Sequence, residues 1–134
     1  MIIDAHVHPA FFQNICPDTD TLARRRAEYG LYKTGIADME QTLTTMDFGG
    51  VDKSILLPLD LTSVEGSPLV SNEEIAAIVA VQPTRFIGFA SVDPNRPDAA
   101  AVLRHAFETL GLSGLKLHLS RLGLAPDDER VLPL

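Results

Sequence analysis

Strand-like and helix-like segments alternate along this chain, and the alternation constrains its fold more than any other feature. Strand patterns cover residues 2–8, 51–58, 85–92 and 115–119, and a helical pattern lies between each successive pair. Parallel strands need long crossover connections, which are usually helices. The order β-α-β-α-β-α-β therefore predicts an α/β fold with four parallel strands and intervening helices.

The three helical segments carry recognisable start and stop signals. Gly49-Gly50 ends the first, the sequence from Ser71 to Glu74 reads as a capping box that opens the second, and Pro97 and Gly111 bracket the third. The third also has a single apolar stripe at helical spacing, formed by Ala99, Val102, Leu103, Ala106, Phe107 and Leu110. We therefore expect these helices to pack one face each against the sheet.

The loops that leave the strands are longer than the loops that enter them. Residues 9–37 follow the first strand and residues 59–70 follow the second, whereas only residues 49–50 and 83–84 lead into the next strands. Long loops at the C-terminal ends of parallel strands are where α/β proteins form their active sites. We expect the functional site at this end of the sheet.

Two histidines, His6 and His8, lie at that end of the first strand. Residues two apart on a strand share a face, so we expect Asp4 beside them, with the other face formed by Ile3, Ala5 and Val7. Both faces of a parallel sheet are usually buried, and a buried polar row needs a partner. Two imidazoles at this spacing can bind one metal ion, which makes His6 and His8 predicted metal ligands. The alternative is the polar face of a half-exposed strand.

A second polar pair, Lys116 and His118, shares one face of the predicted fourth strand. One interpretation is that these residues, with Asp4, bind substrate or support the metal ligands. The other is that neighbouring strands or Asp93 satisfy the pair, because a buried lysine needs a charged partner or a shifted pKa. The residue pattern leaves both open.

The remaining candidates are weaker. His105 falls off the apolar stripe of its helix and is expected to be exposed. Arg24 to Arg26 could bind a substrate carboxylate, but a solvated helix face is the favoured interpretation. Cys16 has no histidine next to it in sequence that would mark a nucleophile.

Composition narrows the class of protein. A chain of 134 residues allows one domain at most, and a net charge of −7 speaks against nucleic acid or an anionic membrane as a partner. The single cysteine excludes an internal disulfide, and we see no signal peptide or membrane-spanning run. We therefore expect a cytoplasmic protein that contacts no membrane.

Three segments together resemble the amidohydrolase superfamily, specifically its amidohydrolase-related group, amidohydrolase 2. They are the run from Ile3 to Pro9, the run from Phe89 to Pro94 and the run from Gly114 to His118. The resemblance implies a (β/α)₈ TIM barrel with His6 and His8 as metal ligands at its C-terminal mouth. The family also uses a histidine on strand five, often one on strand six, and an aspartate on strand eight. None of these strands is in the sequence, so we expect residues 1–134 to form a single partial domain, the N-terminal half of the barrel.

The same resemblance implies a metal-dependent hydrolase that acts on amide, lactone or similar C–N and C–O bonds through a metal-activated water. Zinc is the expected metal, and a small molecule, with carboxylic acids among the candidates, is the expected substrate. One alternative is a metal-dependent decarboxylase of an aromatic or unsaturated acid. A PHP-type phosphoesterase, which also begins with His-x-His, ranks low because its further Asp-His pairs are missing.

The alternative to an enzyme is a catalytically incomplete half-barrel. A half-barrel leaves strand edges without a partner, and such edges promote association. We therefore also expect a homo-oligomer.

Overall fold

The computed structural model describes residues 1–9, 12, 15–28 and 38–134, and within them it contains a parallel sheet of three strands. These are β1 (Ile3–Val7), β2 (Lys53–Leu56) and β3 (Phe86–Gly88), paired in the order β1-β2-β3. The predicted α/β fold with parallel strands is confirmed. Each strand is shorter than its sequence pattern predicted.

The fourth predicted strand is reduced to one parallel bridge between Ala90 and Leu115. Two hydrogen bonds hold it: Ala90 N donates to Gly114 O over 2.6 Å, and Lys116 N donates to Ala90 O over 2.8 Å. A short helix begins at Leu119, so the strand pattern of residues 115–119 ends earlier than predicted. The segment nevertheless occupies the fourth position of the sheet.

The predicted helices are present as α2 (Met39–Phe48), α4 (Asn72–Val81) and α5 (Ala99–Glu108). The capping box is also present: Ser71 Oγ accepts from Glu74 N over 3.2 Å, and Glu74 Oε2 accepts from Ser71 N over 2.9 Å. Three further helices were not predicted, namely α1 (Thr19–Glu28), α3 (Thr62–Glu65) and α6 (Leu119–Leu122). The long loops at the C-terminal end therefore carry helices of their own. None of the helices among the described residues combines the length and apolar character needed to cross a membrane.

The main hydrophobic core lies between the sheet and helices α2, α4 and α5. It includes Leu56, Val70, Ile75, Ile78, Phe86, Val92, Leu103 and Ala106, all of which are almost fully buried. A smaller second cluster contains Leu59, Leu61, Leu69, Leu122 and Leu124. It packs residues of the second long loop against α6 and the residues that follow it.

A β-bulge interrupts the pairing of β1 with β2. Asp4 pairs with Ser54 and Val7 pairs with Leu56, so three steps along β1 match two steps along β2. The Ser54 hydroxyl contacts Met46 of α2 and Leu56 lies in the core, so this side of β2 faces the helices. Asp4 and Val7 therefore both lie on the helix-facing side. The bulge interrupts the regular alternation that the sequence predicts from Asp4 to His8, because a bulge shifts the alternation by one residue.

Candidate metal site at the end of the first strand

The side chains of His6 and His8 converge at the end of β1. Their Nε2 atoms lie 3.1 Å apart, and the ring centroids are 5.0 Å apart with the planes at 76°. Zinc–nitrogen bonds of about 2.0–2.1 Å place two nitrogens of one tetrahedral ion roughly 3.3 Å apart. The observed separation is close to that value, so the pair can bind a single ion with little movement.

The backbone of β2 orients one of the two rings. His8 Nδ1 lies 3.1 Å from the carbonyl oxygen of Leu57, which can only accept a hydrogen bond. The Nδ1 atom therefore carries the proton, and Nε2 presents its lone pair towards His6. Histidines that bind metals usually donate their other N–H to a carbonyl or carboxylate in this manner. In the metal-free pair, His6 Nε2 is then the donor to His8.

The surroundings of His8 favour its neutral form. Burial is the largest influence that lowers the pKa of His8, and the charges of His6, Lys116 and His118 lower it further. The hydrogen bond to Leu57 opposes them without reversing the shift. A neutral imidazole is the form that binds a metal ion.

Lys116 and His118 of the fourth segment lie close enough to His8 for their charges to lower its pKa. Both are half-buried. His118 immediately precedes α6, and its Nδ1 lies 3.3 Å from Ser120 Oγ. The alternative prediction was that Asp93 satisfies Lys116 and His118. The carboxylate of Asp93 instead accepts hydrogen bonds from Ser63 N over 2.7 Å and from Asn95 N over 2.9 Å.

The side chain of Asp4 contacts the backbone of His6. Its Oδ1 accepts from His6 N over 3.1 Å. Its side chain also borders a cavity of about 390 Å³ between the sheet and α2, lined as well by Val7, His8, Thr45, Met46 and Phe86. Asp4 thus stabilises the bulged backbone at His6.

The described residues bring together two candidate ligands and no third. Within residues 1–9, 12, 15–28 and 38–134, no three His, Cys, Asp or Glu side chains come close enough together to hold an ion. A catalytic zinc has about three protein ligands and a water. The two imidazoles fit a divalent ion, but they make up only part of a coordination shell.

The other predicted candidates serve different purposes. His105 is exposed, as expected, and lies 3.9 Å from Glu73. Arg24 and Arg25 do not form a solvated face, because they bind the 67–74 segment: Arg24 contacts Ser67 Oγ and Pro68 O over 3.1 Å each. Cys16 is half-buried. In the first long loop, residues 10–11, 13–14 and 29–37 lie outside the described residues.

A buried polar network beside the site was missed by sequence reasoning. It joins the ends of β2 and β3 to the start of α4 and includes Asp60, Asn72, Ser91, Asp93 and Arg96. The one available signal was position, because Asp60 and Asp93 each come just after a strand pattern. Its members bond to one another and to neighbouring backbone groups, so the network stabilises the C-terminal end of the sheet.

Solved structures with this fold are TIM barrels and enzymes. An uncharacterized TIM-barrel protein from Bordetella bronchiseptica aligns with 98% of this chain and 49% of its own, with a TM-score of 0.68 and 19% identity. A 5-carboxyvanillate decarboxylase from Novosphingobium aromaticivorans, solved with manganese and 3-methoxy-4-hydroxy-5-nitrobenzoic acid, aligns over 99% and 46% with a TM-score of 0.66 and 22% identity. A 4-oxalomesaconate hydratase from Rhodopseudomonas palustris aligns over 99% and 47% with a TM-score of 0.65 and 20% identity.

The chain thus spans about half the length of these structures, and its fold is half of a TIM barrel. No curated protein matches the sequence at a significant level. The sequence matches the amidohydrolase family over residues 3–134, which is nearly its whole length. The convergent His6–His8 pair lies at the strand end where the resemblance placed it, and the chain belongs to the amidohydrolase family.

Proposed function

We propose that this chain provides the first-strand ligands of a metal-dependent enzyme, with His6 and His8 binding a divalent ion at the mouth of the barrel. One observation carries the proposal. The two Nε2 atoms are 3.1 Å apart, while Leu57 O fixes the proton of His8 on the opposite ring nitrogen. This arrangement directs both Nε2 atoms to one place, where a divalent ion can replace the hydrogen bond between the two rings.

A divalent ion, once bound, polarises a substrate carbonyl or carboxylate and makes water more acidic. The chain's own residues then have separate tasks. Leu57 keeps the His8 ring oriented, and Asp4 holds the backbone of His6. Lys116, which lies near His8, supplies positive charge for a substrate carboxylate, and His118 supplies a ring N–H that can donate to it. Small carboxylic acids are therefore the substrate class that we propose.

Two reactions fit this site, and the comparisons support each. The family name favours hydrolysis of amide, lactone or similar bonds. Structural neighbours include decarboxylases of 2,6-dihydroxybenzoate and of 5-carboxyvanillate, which favours loss of CO₂ from an aromatic acid. Assaying the metal-loaded protein with an aromatic carboxylic acid separates the two, because CO₂ release supports decarboxylation and excludes simple hydrolysis of that substrate.

The metal identity is a further part of the proposal. Imidazole ligands suit zinc, and zinc remains our expectation. Two of the neighbouring decarboxylases were solved with manganese. Both ions must therefore be compared.

Metal binding tests the proposal directly. We would dialyse the chain against Zn²⁺ or Mn²⁺ and measure the bound metal by mass spectrometry, for the parent and for His6→Ala and His8→Ala. We expect the parent to bind at least one of the two ions and each variant to bind it at least ten-fold more weakly. His105→Ala is the matched control, because it removes an exposed histidine of α5 and should bind as the parent does. Parent-like binding by His6→Ala would overturn the proposal.

A further inference from the structure

We propose that the ring of Phe89 lines the substrate site beside Lys116 and selects carboxylic acids that carry a flat, unsaturated ring. The inference rests on the proposed function, because it takes the region between the histidine pair and Lys116 to be the place where a carboxylic acid binds. It adds the residue that distinguishes one small carboxylic acid from another.

The pairing register places Phe89 in one row with His8 across the sheet. The ladder between β1 and β2 places His8 beside Leu57, one residue beyond its last pair. The ladder between β2 and β3 places Leu57 beside Phe89, again one residue beyond its last pair, and Phe89 N continues this ladder by donating to Leu56 O over 3.0 Å. Because β3 lies between β2 and the fourth segment, Phe89 stands between the histidine pair and Lys116 along the sheet.

The Phe89 side chain points away from the helices. Ala90 and Leu115, which form the bridge to the fourth segment, both pack in the main hydrophobic core on the helix side of the sheet. Neighbouring residues of an extended strand point to opposite faces, so Phe89, Gly114 and Lys116 share the other face. Phe89 is half-buried and packs in neither hydrophobic cluster of the described residues. Its ring therefore lies on the side of the sheet that carries Lys116.

The ring of Phe89 lies over the α-carbon of Gly114. A Cβ at this position would lie 2.5 Å from Phe89 Cζ and 2.6 Å from Phe89 Cε1, so the end of the ring fills the space of a side chain there. The φ of Gly114 is not in the left-handed region, so it is the space for the ring, and not the backbone conformation, that requires glycine. Lys116 is the next residue on the same face, about 6.6 Å along the segment. The ring and the Lys116 side chain are therefore neighbours on one face of the sheet.

This arrangement suits a ligand with a carboxylate at one end and a flat ring at the other. The ammonium group of Lys116 attracts the carboxylate, and the Phe89 ring offers an apolar partner beside it. Aromatic rings pack against each other in offset or edge-to-face geometry, which strengthens the contact beyond the area that it buries. A saturated ring buries a similar area without this contribution. We therefore expect Phe89 to favour an aromatic acid over its saturated counterpart by about two- to ten-fold in affinity.

Ligand binding by the metal-loaded protein tests the inference. We would load the parent with Zn²⁺ or Mn²⁺, confirm the bound metal by mass spectrometry, and titrate it with benzoate and with cyclohexanecarboxylate in a calorimeter at neutral pH. The two acids share a carboxylate and differ in whether the ring is flat. Phe89→Leu removes the flat ring of the protein and keeps an apolar side chain. Phe48→Leu is the matched control, because Phe48 at the end of α2 is 96% exposed.

We expect the parent and Phe48→Leu to bind benzoate about five-fold more tightly than cyclohexanecarboxylate, and Phe89→Leu to bind the two acids about equally. If circular dichroism shows that Phe89→Leu fails to fold, Phe89→Met takes its place, because its flexible side chain fills irregular space. Equal binding of the two acids by the parent overturns this inference and leaves the metal site intact. So does an unchanged preference in Phe89→Leu. A metal-loaded parent that binds neither acid overturns the inference together with the proposed substrate class, and a parent that binds no zinc or manganese overturns the proposed function as well.

Discussion

The side-chain amide of Asn72 forms two hydrogen bonds with the backbone of Ser91. Ser91 N donates to Asn72 Oδ1 over 2.8 Å, and Asn72 Nδ2 donates to Ser91 O over 3.0 Å. Both residues are buried. The amide therefore satisfies the backbone N–H and C=O of Ser91, as the backbone of a neighbouring strand would do. The first turn of α4 is thereby fixed to the end of the sheet that carries the candidate site.

Asn72→Ala should destabilise the fold by about 2–4 kcal/mol, because it leaves a buried N–H and a buried C=O without partners. Urea unfolding followed by circular dichroism measures the change. Glu73→Ala, one residue along and 64% exposed, should change the free energy of unfolding by less than about 0.5 kcal/mol. Equal effects of the two substitutions on the free energy of unfolding would show that the hydrogen bonds of the Asn72 amide do not stabilise the fold.

Asp93 should make stability depend on acid pH. Burial raises the pKa of its carboxyl, but hydrogen bonds from Ser63 and Asn95 outweigh it, so the pKa lies below its ordinary value of 3.8. A carboxyl with a lowered folded-state pKa stabilises the protein above its ordinary pKa and loses that contribution as pH falls through the folded value. We therefore expect stability to fall as the pH drops below about 4.

Asp93→Asn removes this titration. The variant should be less stable than the parent at pH 7, because the amide cannot accept both backbone N–H groups, and the gap should narrow at pH 3. Thermal unfolding at the two pH values gives both quantities. Asp20→Asn on α1 is the control, since its carboxyl has no partner of this kind. A gap that stays constant with pH would contradict the role given to Asp93.

Gly88→Ala should cost about 1–3 kcal/mol by overpacking. A Cβ at Gly88 would lie 2.6 Å from Leu112 Cδ2 and 2.9 Å from Ile75 Cγ2, which is closer than carbon atoms can pack. Gly49→Ala is the matched control: its φ is −79° and its nearest neighbour would be 3.4 Å away. We expect Gly49→Ala to be near neutral in chemical denaturation. A neutral Gly88→Ala would mean that α4 can move away from β3.

Arg25→Ala should destabilise the chain by about 3–5 kcal/mol, because it leaves the Glu74 carboxylate without its cationic partner. The Arg25 guanidinium is 3% exposed, its Nη2 donates to both carboxylate oxygens of Glu74, and its Nε donates to Leu69 O over 2.5 Å. Arg104→Ala on the exposed side of α5 should have little effect and serves as the comparison in urea unfolding. A small loss in Arg25→Ala would show that α1 contributes little to the stability of the domain.

The secondary structure that local patterns specify was predictable. The stripe from Ala99 to Leu110 became α5, and the Ser71–Glu74 capping box opens α4, because both signals act within one or two turns of helix. The fourth strand was overestimated because its pattern, leucines alternating with Lys116 and His118, cannot show how much of the segment finds a pairing partner. Of residues 115–119, only Leu115 forms a β-bridge.

The convergence of the two histidines was predictable from the sequence, but the groups that hold them in place were not. The side chains of His6 and His8 converge, as their spacing of two residues predicted. Asp4 lies before the bulge and faces the helices instead. The Leu57 carbonyl that orients His8 could not be identified, because any backbone carbonyl looks the same in a sequence.

The bulge in β1 means that the histidine pair is not portable as a short peptide motif. Grafting the residues from Asp4 to His8 onto a regular strand would turn the first carboxylate towards the imidazoles and leave the backbone under His6 without its Asp4 hydrogen bond. Deleting one residue between Asp4 and Val7 would have the reverse effect on everything downstream, turning the imidazoles towards α2. The direction in which these histidines point therefore depends on the register of β1 against β2. An insertion or deletion in β1 would change that register and so alter the site more than many substitutions would.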